Sequence, residues 1–100
     1  MAGAVKRTSM VFFCDGVCQS TSPGKLKAGT IVYLVSDGVN VKLDFHAKSP
    51  FVSGVKRINL APNGVRKETI GTTADEFSFS LSCGAACPKQ DDEPTVIVIG

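Results

Sequence analysis

The sequence predicts an all-β fold: one domain, built as an antiparallel or mixed β-sandwich or barrel of about seven short strands. Short runs that alternate apolar with polar residues, or that are rich in β-branched side chains, recur between clusters of Gly, Pro, Asn, Asp and Ser. No segment of ten or more residues carries a helical period. The 100 residues allow one core, so no second domain is expected.

The first strand is expected at residues 9–13, with Met10 and Phe12 on one face and Val11 and Phe13 on the other, which predicts cover on both sides. Asp15 and Gly16 then signal a tight turn, and residues 19–24 read as a Ser, Thr and Pro loop. Residues 30–35 are apolar on both faces, as suits a central strand, and end at the turn Ser36, Asp37, Gly38. In residues 41–46, Val41, Leu43 and Phe45 alternate with Lys42, Asp44 and His46, the pattern of a half-buried strand.

Residues 47–54 contain Pro50 and Gly54 and read as a loop, with Phe51 anchored in the core. Residues 55–60 predict a short edge strand, since Lys56, Arg57 and Asn59 leave little that is apolar. Pro62, Asn63 and Gly64 form a strong turn signal before a strand at 65–70. Phe77, Phe79 and Leu81 alternate strictly with Ser78, Ser80 and Ser82, so one pleated face enters the core. A polar turn over residues 88–94 leads to Thr95, Val96, Ile97, Val98 and Ile99, a continuous run that suits a strand covered on both faces.

Composition narrows the function. With 43% hydrophobic and 20% charged residues the chain reads as globular, and no tract is apolar enough to span a bilayer, so no membrane role is expected. A formal charge of +2 is too small to imply nucleic acid, and the pairs Lys6 and Arg7, Lys56 and Arg57, Arg66 and Lys67 read as solvated strand edges. The candidate stacking residues Phe12, Phe13, Tyr33, Phe77 and Phe79 alternate mostly into the core, out of reach of bases. The apolar run at 10–14 is too short for a signal-peptide core, so the chain as written is expected in the cytosol; a mature domain with its leader removed would read the same.

The chemically specific feature is a Cys-x-x-x-Cys pattern that occurs twice, at Cys14 and Cys18 and at Cys83 and Cys87, each directly after an expected strand. Four thiolates suit tetrahedral zinc, and also Cu(I) or an iron-sulfur centre, because soft sulfur matches those ions. In a reducing cytosol such cysteines more often hold metal than form disulfides. Two disulfides, within each loop or between the loops, are the competing reading, and four unpaired thiols a third.

The residues also carry a resemblance. Lys27, Ala28, Gly29 and the run from Thr30 to Gly38 resemble the glycine-led strand and turn that precede the first copper histidine of the cupredoxin-like β-sandwiches. The stretches at 62–65 and 77–83 are similar to that family's penultimate strands ending in the copper cysteine, and 95–99 to its terminal strand. The resemblance implies a Greek-key sandwich in which the loop after the first strand and the loop before the last strand emerge at one end, bringing Cys14, Cys18, Cys83 and Cys87 together. It does not carry the blue-copper ligands. Val39 and Asn40 stand where the first histidine belongs, His46 is the sole histidine, and neither histidine nor methionine follows Cys83.

Catalysis has thin support. Asp44 and His46 share a strand face, but no serine motif or second histidine accompanies them, and the pair reads as surface. A redox role for Cys83 and Cys87 lacks the two-residue spacing and helix that thioredoxin-type reactivity uses. Asp91, Asp92 and Glu93 read as solubilising charge rather than a calcium site. Two classes follow: a small metal-binding or redox protein with its cysteines gathered at one end, or a non-catalytic module, stapled by disulfides, that docks another protein.

Overall fold

A computed structural model describes residues 6–88 and 95–100, and no helix occurs among them. The chain forms β1 (Arg7–Asp15), β2 (Val17–Ser20), β3 (Lys25–Leu26), β4 (Ile31–Ser36) and β5 (Val41–Asp44). It continues through β6 (Arg57–Leu60), β7 (Val65–Thr69), β8 (Asp75–Ser82) and β9 (Thr95–Ile99). The acidic residues Asp91, Asp92 and Glu93, with most of the expected turn around them, lie outside the described residues.

Two mixed sheets result. One has four strands in the order β2-β1-β4-β7, the other five in the order β3-β9-β8-β5-β6. In the first, β1 and β4 run parallel while β2 and β7 flank them antiparallel. In the second, β5, β6, β8 and β9 are antiparallel and β3 adds a short parallel edge to β9.

Strand alternation explains the core. Met10, Phe12, Val32 and Leu34 from the first sheet join Val41, Leu43, Ile58, Phe77, Phe79, Ile97 and Ile99 from the second in one apolar cluster. Each such side chain, fully buried, contributes roughly 1.5–3 kcal/mol over an exposed one. Phe45 anchors the middle, with Phe79 at 4.9 Å and Phe51 edge-on at 5.5 Å between ring centroids. Phe51 is buried as the sequence suggests, and β6 is an edge strand as expected.

The differences have physical causes. Of the nine strands, β2 and β3 lie where the sequence reads loop or lead-in: β2 is only four residues long and exists because it pairs with β1 across the Gly16 turn, where φ is +77°. The expected strand at 41–46 stops at Asp44, because His46 turns left-handed at φ +52°. Cover on both faces of β1 and β4 is absent among the described residues: Val11, Phe13, Ile31, Tyr33 and Val35 point outward and are only half-buried.

Candidate functional site

All four cysteines meet at one rim. Cys14 near the end of β1 and Cys18 in β2 stand directly opposite each other in the hairpin register. Past the end of β8, Cys83 enters a turn that Gly84 makes possible at φ +84°, and the Cys87 N–H donates to the Gly84 carbonyl at 3.3 Å. Pro88 then accepts a 2.8 Å bond from the Cys18 N–H, which ties this turn to the hairpin.

The sulfurs pair between the loops. Cys14 is bonded to Cys87 with Cα atoms 6.0 Å apart, and Cys18 to Cys83 with Cα atoms 5.4 Å apart; both spacings are ordinary for disulfides. Cys18, Cys83 and Cys87 are buried with Val39 and Leu81 as a small satellite core, whereas Cys14 is exposed. The geometry supports the disulfide alternative over the metal reading that the sequence put first. A sulfur bonded to sulfur carries no thiolate charge for a cation. Among the described residues, no group of three or more His, Cys, Asp or Glu side chains is arranged to hold a metal.

The ligands of a type 1 copper centre do not fit either. Its thiolate would be Cys83, which is bonded to Cys18, and the sole histidine turns its ring toward Ser80.

A second cluster, on the outer face of the five-stranded sheet, escaped the sequence reading in one member. Asp44 and Ser80 are paired across β5 and β8, and His46 reaches over both. Its Nε2 lies 2.7 Å from Ser80 Oγ, its Nδ1 lies 3.5 Å from Asp44 Oδ2, and its backbone N–H donates to Asp44 Oδ1 at 2.9 Å. That backbone bond, with His46 and the Arg57 guanidinium close by, holds the Asp44 carboxyl below the usual aspartate range. Ser80 was invisible beforehand because only strand register joins it to His46; the serine alternation in β8 placed it outward but named no partner.

Hydroxyl, imidazole and carboxylate in this order are the parts of an activated nucleophile. Here they stand in water. The imidazole is 62% exposed, and the open depression beside it, lined by Asp44, His46, Gly54, Val55, Lys56 and Arg57, does not include Ser80. The His46 backbone bond to Asp44 caps the end of β5.

No family model matches this chain, and neither does any curated protein or solved structure.

Proposed function

We propose that this chain is a cupredoxin-like β-sandwich module, stapled by two disulfides, that binds another protein and catalyses no reaction. The observation behind it is the cross-loop pairing of Cys14 with Cys87 and Cys18 with Cys83. Such bridges clip the N-terminal hairpin to the connection before the last strand and make the rim rigid without metal. Two further features support the family likeness: both sheets feed one core, and the loops after the first strand and before the last meet at one end. The staples work in an oxidising compartment, where disulfides persist. Titration of the native protein under denaturing conditions tests this: no thiols before reductant and four after it. Free thiols in the protein as isolated from such a compartment would sink the reading.

The gathering of four sulfurs at one rim also favours a second reading for a reducing environment. With both disulfides opened, Cys14, Cys18, Cys83 and Cys87 would hold zinc, or less favourably Cu(I) or an iron-sulfur centre, and the ion would replace the staples in tying the loops together. Metal analysis of anaerobically reduced protein decides it. Less than about half an equivalent of zinc per chain, with the thiols intact, refutes metal binding.

A further inference from the structure

The two outer faces of the molecule differ in chemistry. On the five-stranded sheet the outward positions of β5, β6 and β8 are polar, among them Lys42, Asp44, Arg57, Asn59, Ser78 and Ser80, and apolar side chains enter that face only at half-buried Val96 and Val98 of β9, among the described residues. On the four-stranded sheet, the register instead aligns Val11, Val35 and Val65 in one row across three strands. Tyr33 and Ile31 extend that row along β4, and Phe13 extends it along β1. Val65 is 62% exposed, and the others are half-buried. A contiguous apolar patch of this kind marks an interaction surface.

The charges at its ends identify the occupant. Exposed Arg7 and Lys67 stand at the Ile31 and Tyr33 level, on the end where β4 begins. Exposed Asp15 ends β1 at the opposite end, and exposed Asp37 follows the end of β4 on the same side, its N–H bonded to the Phe12 carbonyl. The patch is therefore basic at one end, acidic at the other and apolar between.

We infer that this face binds the same face of a second copy, forming a two-fold dimer. Rotation about an in-plane axis along the strands would set Arg7 and Lys67 against their own counterparts. Rotation about the in-plane axis perpendicular to the strands sets the basic end of each copy over the acidic end of the other and still stacks the valine rows. Charge complementarity selects the second. Four strands of nine, four, six and five residues, about 4.8 Å apart and about 3.3 Å per residue, give a face of about 400 Å² per copy. That is below the roughly 600 Å² per partner of the smallest standard interfaces, so the dimer is weak and reversible.

This inference rests on the binding-module reading and names its partner; the thiol titration and the experiment below fail independently. Sedimentation of the oxidised protein from about 10 μM to about 1 mM should show a monomer–dimer equilibrium. Val35→Lys places a charge in the centre of both faces and should raise the dissociation constant at least about a hundredfold, whereas Asn59→Lys, at an exposed position on the outer face of the other sheet, should not change it. Neutralising the basic end with Arg7→Gln and Lys67→Gln should weaken the dimer by about tenfold at low salt. Circular dichroism and melting of each variant control for folding. A monomer at every concentration, a dimer indifferent to Val35→Lys, or one strengthened by the Gln pair overturns the proposal, and capture of a different protein by a strictly monomeric chain does so as well.

Discussion

Cys14 and Cys18 face each other across the β1–β2 hairpin, yet each is bonded to a cysteine far along the chain, 73 residues on for Cys14 and 65 for Cys18. The second loop lies inside the first. With Cys18 joined to Cys83, the Cys14–Cys87 bond closes only the short ring formed by residues 14–18 and 83–87.

Nesting makes the two staples partly redundant. Either disulfide alone closes a long loop, about 4 kcal/mol in the chain-entropy account, while the other then adds the closure of about ten residues, about 3 kcal/mol. Replacing one pair, for example Cys14→Ser with Cys87→Ser, should therefore cost about 3 kcal/mol and replacing both pairs about 7 kcal/mol, more than the sum of the single losses. Urea unfolding of the three variants measures this. Equal and additive losses of about 4 kcal/mol each would mean that the loops are not coupled.

Much of this architecture was legible because it is written as local period. Phe77 and Phe79 alternate with serines, and Val41 and Leu43 with Lys42 and Asp44, so their inward faces needed no tertiary information. The rim was legible only as alternatives: the spacing of Cys14, Cys18, Cys83 and Cys87 permits metal or disulfides, and sulfur pairing depends on which loops meet in space. Two features were out of reach for related reasons. Strand β2 has no pattern of its own and forms as the partner of β1, and Ser80 joins His46 only through the β5–β8 register. The apolar outer residues of β1 and β4 misled in the other direction, since apolar on both faces reads as covered by the same chain.

The Asp44 cluster should leave a mark on acid stability. Because the Asp44 carboxyl is held below its unfolded value of about 3.9, its contribution is fully present above that pH and is lost as pH falls through the lower, folded-state value. Asp44→Asn keeps an oxygen to accept the His46 N–H while removing the charge. Between about pH 6 and about pH 2 the wild type should lose more stability than Asp44→Asn, with the difference confined to the acid end. Both proteins retain Asp75, whose carboxyl is also lowered, chiefly by its hydrogen bond from Lys48, so that group cancels in the comparison. Parallel stability curves, followed by urea midpoints, would remove Asp44 from the account.

The turn between β6 and β7 tests a strained position. Asn63 holds φ at +62°, the Gly64 N–H closes the turn on the Ala61 carbonyl at 2.8 Å, and Asn63 Oδ1 accepts the Gly38 N–H at 3.0 Å. Asn63→Gly loses the cross-turn bond but takes up the left-handed backbone freely, so its stability should stay within about 0.5 kcal/mol of wild type. Asn63→Ala loses the bond and keeps the strain, and should cost about 2 kcal/mol. Thermal denaturation ranks the pair, and an alanine variant as stable as the glycine variant would show that the backbone there is unstrained.

The most buried carboxylate among the described residues gives a sharper test, because the single and double changes should have unequal effects. Glu68 points inward opposite Val32 and is only 7% exposed. Its oxygens accept from Arg66 Nε at 2.6 Å and from Ser53 Oγ at 2.8 Å. Removing the guanidinium by Arg66→Met leaves a desolvated charge with one neutral donor, and since Arg66 itself is 39% exposed, water relieves part of the loss; a cost of about 2–3 kcal/mol follows. Replacing the carboxylate as well, in Arg66→Met with Glu68→Leu, sets an apolar pair against Val32 and Leu34 and should restore most of that stability. Chemical denaturation of the wild type, the single and the double variant completes the test. A double variant no more stable than Arg66→Met would mean that the ion pair itself, rather than relief of an unpaired buried charge, holds β7 in the sheet.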